Sequence, residues 1–413
     1  MNFLKNFFII AVIMALTFCS GSLKKPDNNE TTVYPAVPGT PENPSPFIDL
    51  TAAELVANIK IGWNLGNTFD AVGERSGFSW LGGGLYANTS VRQMETAWGN
   101  PVTTKANITA LKEAGFNAIR IPVSWSKAVD SEYNIRADWM ERIAEIINYA
   151  ADNGMYVILN THHDEELFKF TNTLAQDSMK VFRKIWEQIA SAFRNYNEKL
   201  IFEALNEPRT KGSSFEWTGG DAFERFNLNK FYQVFVETVR ASGGNNDKRV
   251  LIVNTYAASA VQAAMSDLVI PEDTVPGKII ASVHAYTPYD FALNTNSPIN
   301  SWSINNPADT SPITDFIDRA YDTFVSRGIP VILGEFGAMN KENADVRAQW
   351  AEFYINYAMD KGMPCFWWDN GVFTGGPNVE KFALLDRHTN TFPFPQIIGG
   401  LMRGVSNWAP PVR

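Results

Sequence analysis

The sequence predicts an α/β fold, a closed (β/α)8 (TIM) barrel, and two regular patterns support this prediction. Eight short apolar runs of strand length are separated by segments with the apolar period of amphipathic helices. Strands that alternate with helices pair in parallel through right-handed crossovers, and eight such units close into a barrel. Glycines that favour a left-handed cap stand where four predicted helices end: Gly115, Gly154, Gly328 and Gly362.

The predicted elements follow one another in regular alternation along the chain. The predicted strands are residues 59–63, 118–121, 156–160, 200–204, 250–254, 279–284, 331–334 and 364–368. The predicted helices are residues 105–113, 137–152, 177–194, 226–241, 313–327 and 345–361. An open, doubly wound sheet is the structural alternative, but the sequence contains no glycine-rich phosphate-binding loop in its favour.

Composition and charge restrict the class of function. Of the 413 residues, 45% are hydrophobic and 13% aromatic, which is enough for a large buried core. The formal net charge of −9 argues against a nucleic-acid partner, because such proteins carry a basic surface. Aromatic side chains suit the flat apolar faces of sugars, although we expect most of them in the core.

Residues 1–19 have the pattern of a signal peptide. A basic start is followed by an apolar stretch from Phe7 to Phe18 that is too short for a permanent membrane span. Cys19 stands where bacterial lipoproteins carry a lipidated cysteine, but Phe18 occupies a position at which a small residue is usual. Two alternatives remain open, membrane attachment through a lipid on Cys19 and free secretion. In both cases we expect an exported protein, extracellular or on the outer cell surface.

The rest of the chain divides into a tether and one large domain. Residues 20–46 are rich in Pro, Asn, Thr and Ser, which predicts a semi-extended linker. No later segment has this composition, so we expect residues 47–413 to form a single (β/α)8 domain. A monomer is the expected state, as the default for an exported barrel protein. Cys365 is the only cysteine besides Cys19. We therefore expect no intrachain disulfide and a buried thiol at Cys365.

The candidate catalytic residues are two glutamates at the carboxyl ends of predicted strands. Glu207 follows the apolar run 200–205, and Glu335 follows the run 330–334. These strand ends share one face of a (β/α)8 barrel, so the two carboxylates can meet there. Paired carboxylates cleave glycosidic bonds, with retention when they lie about 5 to 5.5 Å apart and with inversion when they lie about 8 Å apart.

Further polar and aromatic residues are predicted at the same strand ends. Their sorting onto one rim predicts a cleft there, because the chemistry of barrel enzymes lies at that face. In strand order they are Asn64 and Asn67, Arg120, His162 and His163, Asn206, Asn254, His284 and Tyr286, and Trp367 and Trp368.

The motifs around these residues resemble those of glycoside hydrolase family 5, in the expected order and from about residue 51 onward. The segments that carry the resemblance are Ile61-Gly62-Trp63-Asn64-Leu65-Gly66-Asn67-Thr68, Arg120-Ile121-Pro122-Val123, Thr161-His162-His163-Asp164, Leu205-Asn206-Glu207-Pro208, His284-Ala285-Tyr286 and Leu333-Gly334-Glu335-Phe336. Two more segments are similar to its subfamily 4, which holds endoglucanases, xyloglucanases and lichenases. They are Glu95-Thr96-Ala97-Trp98-Gly99-Asn100-Pro101 and Trp367-Trp368-Asp369-Asn370-Gly371.

The resemblance implies a retaining double displacement. Glu335 would attack the anomeric carbon, and a protonated Glu207 would donate to the leaving oxygen and then act as a base toward water. Arg120 would keep Glu335 ionised, and the nearby negative charge would raise the proton affinity of Glu207. Arg120 has a structural alternative that could coexist with this role, which is to neutralise Glu203.

The resemblance also implies substrate-binding roles. Asn206 would bind the 2-hydroxyl of the sugar at the cleavage site. His284 and Tyr286, two residues apart, would both reach the surroundings of the nucleophile. Either Trp367 or Trp368 could face the sugar, because neighbouring strand residues point oppositely. The residues expected on the glycone side are Asn67, Asp70, His162 and His163, with Trp368 as the stacking floor.

A catalytic metal is the alternative for His162 and His163, because histidine and carboxylate ligands converge in barrel metallohydrolases. Adjacent histidines on a strand are expected to diverge, however, and only His284 and His388 remain as further histidines. We therefore expect no metal and no cofactor.

Three functions fit these features. The first is an endo-β-1,4-glucanase whose partner is a β-glucan polysaccharide such as cellulose, xyloglucan or mixed-linkage glucan. The second is a β-mannanase, which would need a glycone pattern other than Asn67 and Asp70. The third is a non-catalytic carbohydrate-binding surface protein, which would have no need of Glu207 and Glu335. The choice of polysaccharide depends on loops such as residues 70–100, whose glycines and asparagines suggest a wide platform.

Overall fold

The chain folds around a closed barrel of parallel strands. The computed structural model describes Tyr34 and residues 36–72 and 89–406, and the described residues from 36 onward belong to one compact unit. Each strand pairs in parallel with its sequence neighbours, and the last pairs with the first, so the predicted (β/α)8 barrel is confirmed. The strands are β1 (Ile61–Leu65), β2 (Ala118–Ile121), β3 (Tyr156–Asn160), β4 (Leu200–Glu203), β5 (Leu251–Ser259), β6 (Ile279–His284), β7 (Val331–Phe336) and β8 (Cys365–Asp369).

Helices connect the strands and surround the barrel. The described part of the chain contains α1 (Ala52–Asn58), α2 (Val91–Glu95), α3 (Lys105–Glu113), α4 (Ala137–Asp152), α5 (Ala175–Phe193), α6 (Ala222–Ala241), α7 (Gln262–Ser266), α8 (Tyr289–Ala292), α9 (Pro307–Thr323), α10 (Ala344–Asp360) and α11 (Pro395–Ser406). The six predicted helices correspond to α3, α4, α5, α6, α9 and α10. Gly115, Gly154, Gly328 and Gly362 all have the positive φ angle expected of glycines that end helices.

Five of the described helices were not predicted, and the bounds of some strands differ from the prediction. Helices α1, α2, α7 and α8 have seven residues or fewer, too few to display a 3.6-residue period. Helix α11 carries three glycines, which disfavour helical structure. The predicted first strand begins too early, because Ile59 is the residue that caps α1 and the strand itself starts at Ile61.

The inside of the barrel is apolar at its amino end. Ile158, Ile201, Ile280 and Ile332 lie near the starts of their strands and form one buried cluster. Helix α1 contributes Leu55 to the same cluster and thereby closes that end of the barrel.

Toward the carboxyl ends of the strands the barrel interior becomes polar. Asn64, Arg120, Glu203 and Asn254 are fully buried. Arg120, Glu203 and Asn254 each lie two residues further along their strand than a member of the apolar cluster, and Asn64 of β1 pairs with Arg120. Buried polar groups need partners in place of water. This polar layer therefore fixes where the functional groups of the rim can stand.

Part of the predicted amino-terminal organisation cannot be compared with the fold. The predicted signal peptide, residues 1–19, lies outside the described residues, and so do residues 20–33 and 35 of the predicted linker. Among the helices described, none combines the length and the apolar character that crossing a membrane requires. Cys365 is a buried free thiol in β8.

The end of the predicted linker contacts the barrel domain. The side-chain amide of Asn195 donates hydrogen bonds to the carbonyl oxygens of Pro41 and Glu42, at 2.8 and 2.9 Å. The backbone nitrogen of Ser45 donates to the carbonyl oxygen of Asn195 at 2.8 Å. Residues 41–45 therefore lie against the chain segment that follows α5.

Candidate active site

The two candidate glutamates lie together at the carboxyl ends of β4 and β7. Glu207 lies four residues after Glu203, the last residue of β4. Glu335 is the next-to-last residue of β7. One carboxylate oxygen of Glu207 lies within 4.8 Å of one of Glu335. The Glu207 side chain is 17% exposed and that of Glu335 only 6%, so Glu207 has the better access to solvent. This separation is that of retaining glycosidases.

Arg120 of β2 joins the nucleophile candidate to the polar layer. Its Nη1 donates hydrogen bonds to Glu335 at 2.8 Å and to Asn64 at 3.0 Å. Its Nε and Nη2 donate to the two oxygens of Glu203 at 2.6 and 3.2 Å, and Nη2 also donates to Asn206 at 2.7 Å. Burial opposes the charge, yet the two carboxylates outweigh it and hold the pKa of Arg120 above its ordinary value. Arg120 therefore contacts both Glu203 and Glu335.

Two asparagines without an assigned role in the sequence analysis hold this network in place. Asn64 stands opposite Arg120 in the β1–β2 register and donates from Nδ2 to the carbonyl oxygen of Gly334 at 3.1 Å. Asn254 donates from Nδ2 to Glu203 at 2.9 Å and to the carbonyl oxygen of Asn206 at 2.7 Å. Their positions at strand ends were visible in the sequence, but their partners were not.

His284 and Tyr286 contact the two carboxylates, as their spacing predicts. The Nδ1 atom of His284 lies 3.1 Å from Oε1 of Glu207 and 3.8 Å from Oε2 of Glu335. The hydroxyl of Tyr286 donates to Oε2 of Glu335 at 2.8 Å. The register of β6 and β7 pairs His284 with Glu335, which explains how both carboxylates come within reach of one imidazole.

Gly334 provides the space that His284 occupies. A Cβ atom at this position would lie 2.8 Å from Nε2 of His284 and 2.8 Å from Oγ of Ser282. Carbon atoms do not approach polar atoms so closely without displacing them. The glycine before the second candidate glutamate is therefore needed for the position of His284.

The pKa values of the two carboxyls are shifted in opposite directions. Burial opposes the ionisation of Glu207, but the hydrogen bond and charge of His284 and the charge of Arg209 outweigh it and lower the pKa. Burial raises the pKa of Glu335, and the charge of Glu207 adds to it, against the effects of His284, Arg120 and Tyr286. This order is opposite to the one expected from the sequence, because His284 contacts the carboxyl that was expected to hold the proton.

The two carboxyls have different fixed partners. They are close enough to titrate as one coupled pair. Glu335 contacts the permanent cation Arg120 and the hydroxyl of Tyr286, whereas Glu207 lies 3.1 Å from Nδ1 of His284. The role of Glu207 as the proton donor stays a prediction.

Arg209 is a site residue that the sequence analysis missed. Its Nη1 donates to the carbonyl oxygen of Glu207 at 2.9 Å and lies 3.7 Å from Oε2 of the same residue. The guanidinium also pairs with Glu165 at 3.3 Å and with Glu216 at 3.1 Å. Its position two residues after Glu207 was the available signal, but its contact with Glu165 depends on how the loops fold.

The loop after β1 carries Asn67 and Asp70 in different environments. Asn67 has a φ of 54°, and the amide of Asn100 donates to its carbonyl oxygen at 2.9 Å. Asp70 is fully buried, and its two oxygens accept hydrogen bonds from the backbone nitrogens of Asn67 and Thr68 at 2.9 and 2.5 Å. Asp70 therefore shapes this loop, in place of the direct contact with sugar that we expected.

His162 and His163 lie together beside Trp368. Their ring centroids are 4.4 Å apart, and the ring of His162 is parallel to that of Trp368 at 5.8 Å. The expectation that the two histidines diverge is wrong, because β3 ends at Asn160 and both follow it in a loop.

Two groups in the described part of the chain bring together side chains of the kinds that bind metals. They are Asp70 with His162 and His163, and Glu207 with His284 and Glu335, each with ligand atoms within 4.8 Å of one another. The oxygens of Asp70 already accept backbone hydrogen bonds, and Arg120 and Tyr286 already contact Glu335. The absence of a metal stays a prediction.

Trp367 and Trp368 differ in burial and in contacts. Trp367 is fully buried and donates from Nε1 to the carbonyl oxygen of Phe382 at 2.9 Å. Trp368 is 8% exposed and packs with Met339 and Phe382 at the rim. Trp368 is therefore the ring that lies beside His162 and the carboxyl ends of the strands.

The family becomes clear when the chain is compared with known proteins. The family model described as Cellulase (glycosyl hydrolase family 5) matches residues 85–374. The chain belongs to glycoside hydrolase family 5. The resemblance noted in the motifs is thereby confirmed.

Curated cellulases and endoglucanases are similar over most of this chain. The cellulase/esterase CelE of Acetivibrio thermocellus is 43% identical over 358 residues, which are 86% of this chain and 41% of that protein. Endoglucanase A of Clostridium longisporum is 41% identical over 361 residues, 87% of this chain and 67% of that protein. The chain thus spans less than half of CelE and about two thirds of endoglucanase A.

Solved family 5 structures match the barrel closely. A subfamily 4 broad-specificity endoglucanase from Ruminococcus champanellensis with bound cellotriose is 43% identical with a TM-score of 0.81, covering 87% of this chain and 100% of that one. A mutant lichenase from Caldicellulosiruptor sp. F32 in complex with cellotetraose is 41% identical with a TM-score of 0.80, covering 89% and 99%.

Replacing Tyr286 by Phe tests the electrostatics of this glycoside hydrolase. The hydrogen bond from Tyr286 lowers the pKa of Glu335, so its removal raises that pKa. The expected nucleophile Glu335 must be ionised, so the acidic limb of the kcat/KM profile should move to higher pH. Tyr289→Phe, at a tyrosine that is 60% exposed, is the control and should leave the profile unchanged. An unshifted acidic limb in Tyr286→Phe would contradict the assignment.

Proposed function

We propose that the protein is an endo-β-1,4-glucanase that hydrolyses β-glucan with retention of anomeric configuration. The observation that carries this proposal is the distance of less than 4.8 Å between carboxylate oxygens of Glu207 and Glu335. Inverting enzymes need about 6.5 to 9.5 Å between the carboxyls to hold a water molecule, so this arrangement supports direct attack by one carboxylate.

The first half of the reaction forms a covalent ester. The ionised Oε of Glu335 attacks the anomeric carbon while the bond from that carbon to the leaving oxygen breaks. Glu207 gives its proton to the leaving oxygen, and the shortened chain departs with a new hydroxyl. Arg120 and Tyr286 hold Glu335 in place for this attack through hydrogen bonds of 2.8 Å each.

The second half releases the ester. Glu207, now ionised, takes a proton from a water molecule whose oxygen attacks the anomeric carbon, and the bond to Glu335 breaks. The side chain of Glu207 is the more exposed of the pair, which suits the exchange of protons with water. Two inversions at one carbon give net retention.

The remaining site residues support binding of the sugar. Asn206 is held by Arg120 at 2.7 Å, and we propose that it binds the 2-hydroxyl of the sugar at the cleavage site. Trp368, stacked beside His162, is proposed as the floor for that sugar, since aromatic faces pack well against sugar rings. Asn67 and His163 are proposed to contact the glycone side, with Asp70 acting through the loop that holds Asn67.

The β-glucan substrate is favoured by the relatives. Similar structures include broad-specificity endoglucanases and a lichenase, among them one with bound cellotriose and one with bound cellotetraose. In the described part of the chain, the loops after β6, β7 and β8 border a groove of about 420 Å³, lined by residues 339–342 among others. Met339 of this groove also packs against Trp368. The groove therefore adjoins the proposed stacking floor.

Replacing Glu335 by Gln tests the proposed function. Hydrolysis should fall by about 10⁴-fold or more, because no ionised nucleophile remains, while the affinity for cellotetraose measured by calorimetry should stay nearly unchanged. Release of reducing ends should be measured for xyloglucan, barley glucan, carboxymethylcellulose and glucomannan. Glu113→Gln, at an exposed residue of α3, is the control.

The outcomes separate the alternatives. Wild-type release of reducing ends from glucomannan alone would favour the mannanase. Binding without release from any polymer would favour a carbohydrate-binding protein. Full activity of the Glu335→Gln variant would contradict the mechanism.

We also propose that the protein acts outside the cell. The pattern of residues 1–19 supports export, and a polysaccharide is too large to enter a cell. Replacing Cys19 by Ser separates the two anchoring alternatives. Lipid attachment predicts that this variant moves from the membrane fraction to the medium, whereas free secretion predicts wild-type enzyme in the medium already. Wild-type enzyme retained in the cytosol would contradict export.

A further inference from the structure

The carboxylate of Glu165 connects the loop after β3 to the loop after β4. Its Oε1 lies 3.3 Å from Nη1 of Arg209 and 3.7 Å from Nδ1 of His163, and its Oε2 lies 3.1 Å from Nζ of Lys211. Burial opposes the ionisation of Glu165, but its contacts with His163, Arg209 and Lys211 outweigh it and lower the pKa. Glu165 is therefore a negative charge at neutral pH.

The fold fixes the place of Glu165. The preceding residue, Asp164, is buried and accepts hydrogen bonds from the backbone nitrogens of Trp125 and Ser126 at 3.1 and 2.8 Å. These bonds join the loop after β3 to the segment that follows β2. The side chain of Glu165 starts from a held backbone and is itself only 11% exposed.

Glu165 and Glu207 face the same nitrogen of Arg209. Nη1 lies 3.3 Å from the carboxylate of Glu165 and 3.7 Å from that of Glu207, and it also donates to the carbonyl oxygen of Glu207 at 2.9 Å. Glu216 contacts the guanidinium at Nε, 3.1 Å away. The side chain of Arg209 is only 8% exposed, so water and salt screen these charges little. The two carboxylates therefore compete for one cationic donor.

This competition bears on the proposed acid. The charge of Arg209 is one of the effects that lower the pKa of Glu207. A nearby cation favours the ionised form of a carboxyl, whereas an acid catalyst must hold a proton. Without the charge of Glu165, the carboxylate of Glu207 would remain as a partner of Nη1, and their ion pair would tighten. The charge of Glu165 thus favours the protonated form of Glu207.

We propose that Glu165 is a positioning residue for the acid, because it holds Nη1 of Arg209 and keeps this cation from pairing fully with the carboxylate of Glu207. This inference rests on the proposed function, in which Glu207 donates the proton. Glu165 acts through Arg209, and the reacting groups remain Glu207 and Glu335.

Replacing Glu165 by Gln tests this role with two aryl β-cellotriosides that differ only in the leaving group. The departure of phenol requires a proton from the acid, whereas 2,4-dinitrophenolate leaves without one. For phenyl β-cellotrioside, kcat/KM at neutral pH should fall by about tenfold, the change that one unit in the pKa of the acid produces. For 2,4-dinitrophenyl β-cellotrioside, kcat/KM should stay within about twofold of the wild type.

The ratio of the two kcat/KM values is the decisive quantity. A variant that folds less well loses both activities in proportion, so the ratio does not depend on the amount of folded enzyme. Glu165→Asp keeps the charge and should keep a ratio close to that of the wild type. Glu166→Gln is the matched control, since this neighbouring side chain is 58% exposed and pairs with Lys169, and it should leave both values unchanged.

Two results would overturn the proposal. One is a wild-type ratio in Glu165→Gln, because the acid would then be indifferent to the charge of Glu165. The other is an equally altered ratio in Glu165→Asp, because a loss of shape and not of charge would then be the cause. A wild-type enzyme that cleaves neither substrate would instead show that the proposed function had failed.

Discussion

The active site depends on a guanidinium enclosed in the barrel away from water. A buried cation persists only when carboxylates neutralise it and hydrogen bonds satisfy its donors. Glu203 meets this need for Arg120 with two hydrogen bonds, and Asn254 holds Glu203 in turn. Nη1 of Arg120 then remains directed at Glu335. One fixed cation thereby sets the position and the charge of the proposed nucleophile.

The reactivity of the carboxyl pair follows from unequal contacts. Glu335 has a permanent cation and a phenolic donor, which do not change with pH in the neutral range. Glu207 instead lies 3.1 Å from Nδ1 of His284, and its side chain is the more exposed of the two. General acid catalysis requires a proton on Glu207, and this carboxyl has the better access to the solvent that can supply it.

The sequence predicts the barrel and the pairing of the glutamates because both depend on short-range patterns. Apolar runs, glycines at helix ends and strand-end positions such as those of Glu207 and Glu335 are local features. Short helices such as α1 have too few residues to show a helical period, and contacts between loops join residues that are distant in the sequence. The bond between Arg209 and Glu165 and the approach of His162 to His163 depend on where loops turn, which residue spacing does not encode. The distinction between Trp367 and Trp368 likewise required the register of β8.

Covalent trapping tests the central claim most directly. A 2-deoxy-2-fluoro cello-oligosaccharide with a good leaving group slows the second half of a retaining reaction, so the ester should accumulate. The expected result is a mass increase of one glycosyl unit per protein, located by peptide mapping on Glu335. A label on Glu207, or turnover of cellotetraose that yields the inverted anomer without any label, would contradict the account.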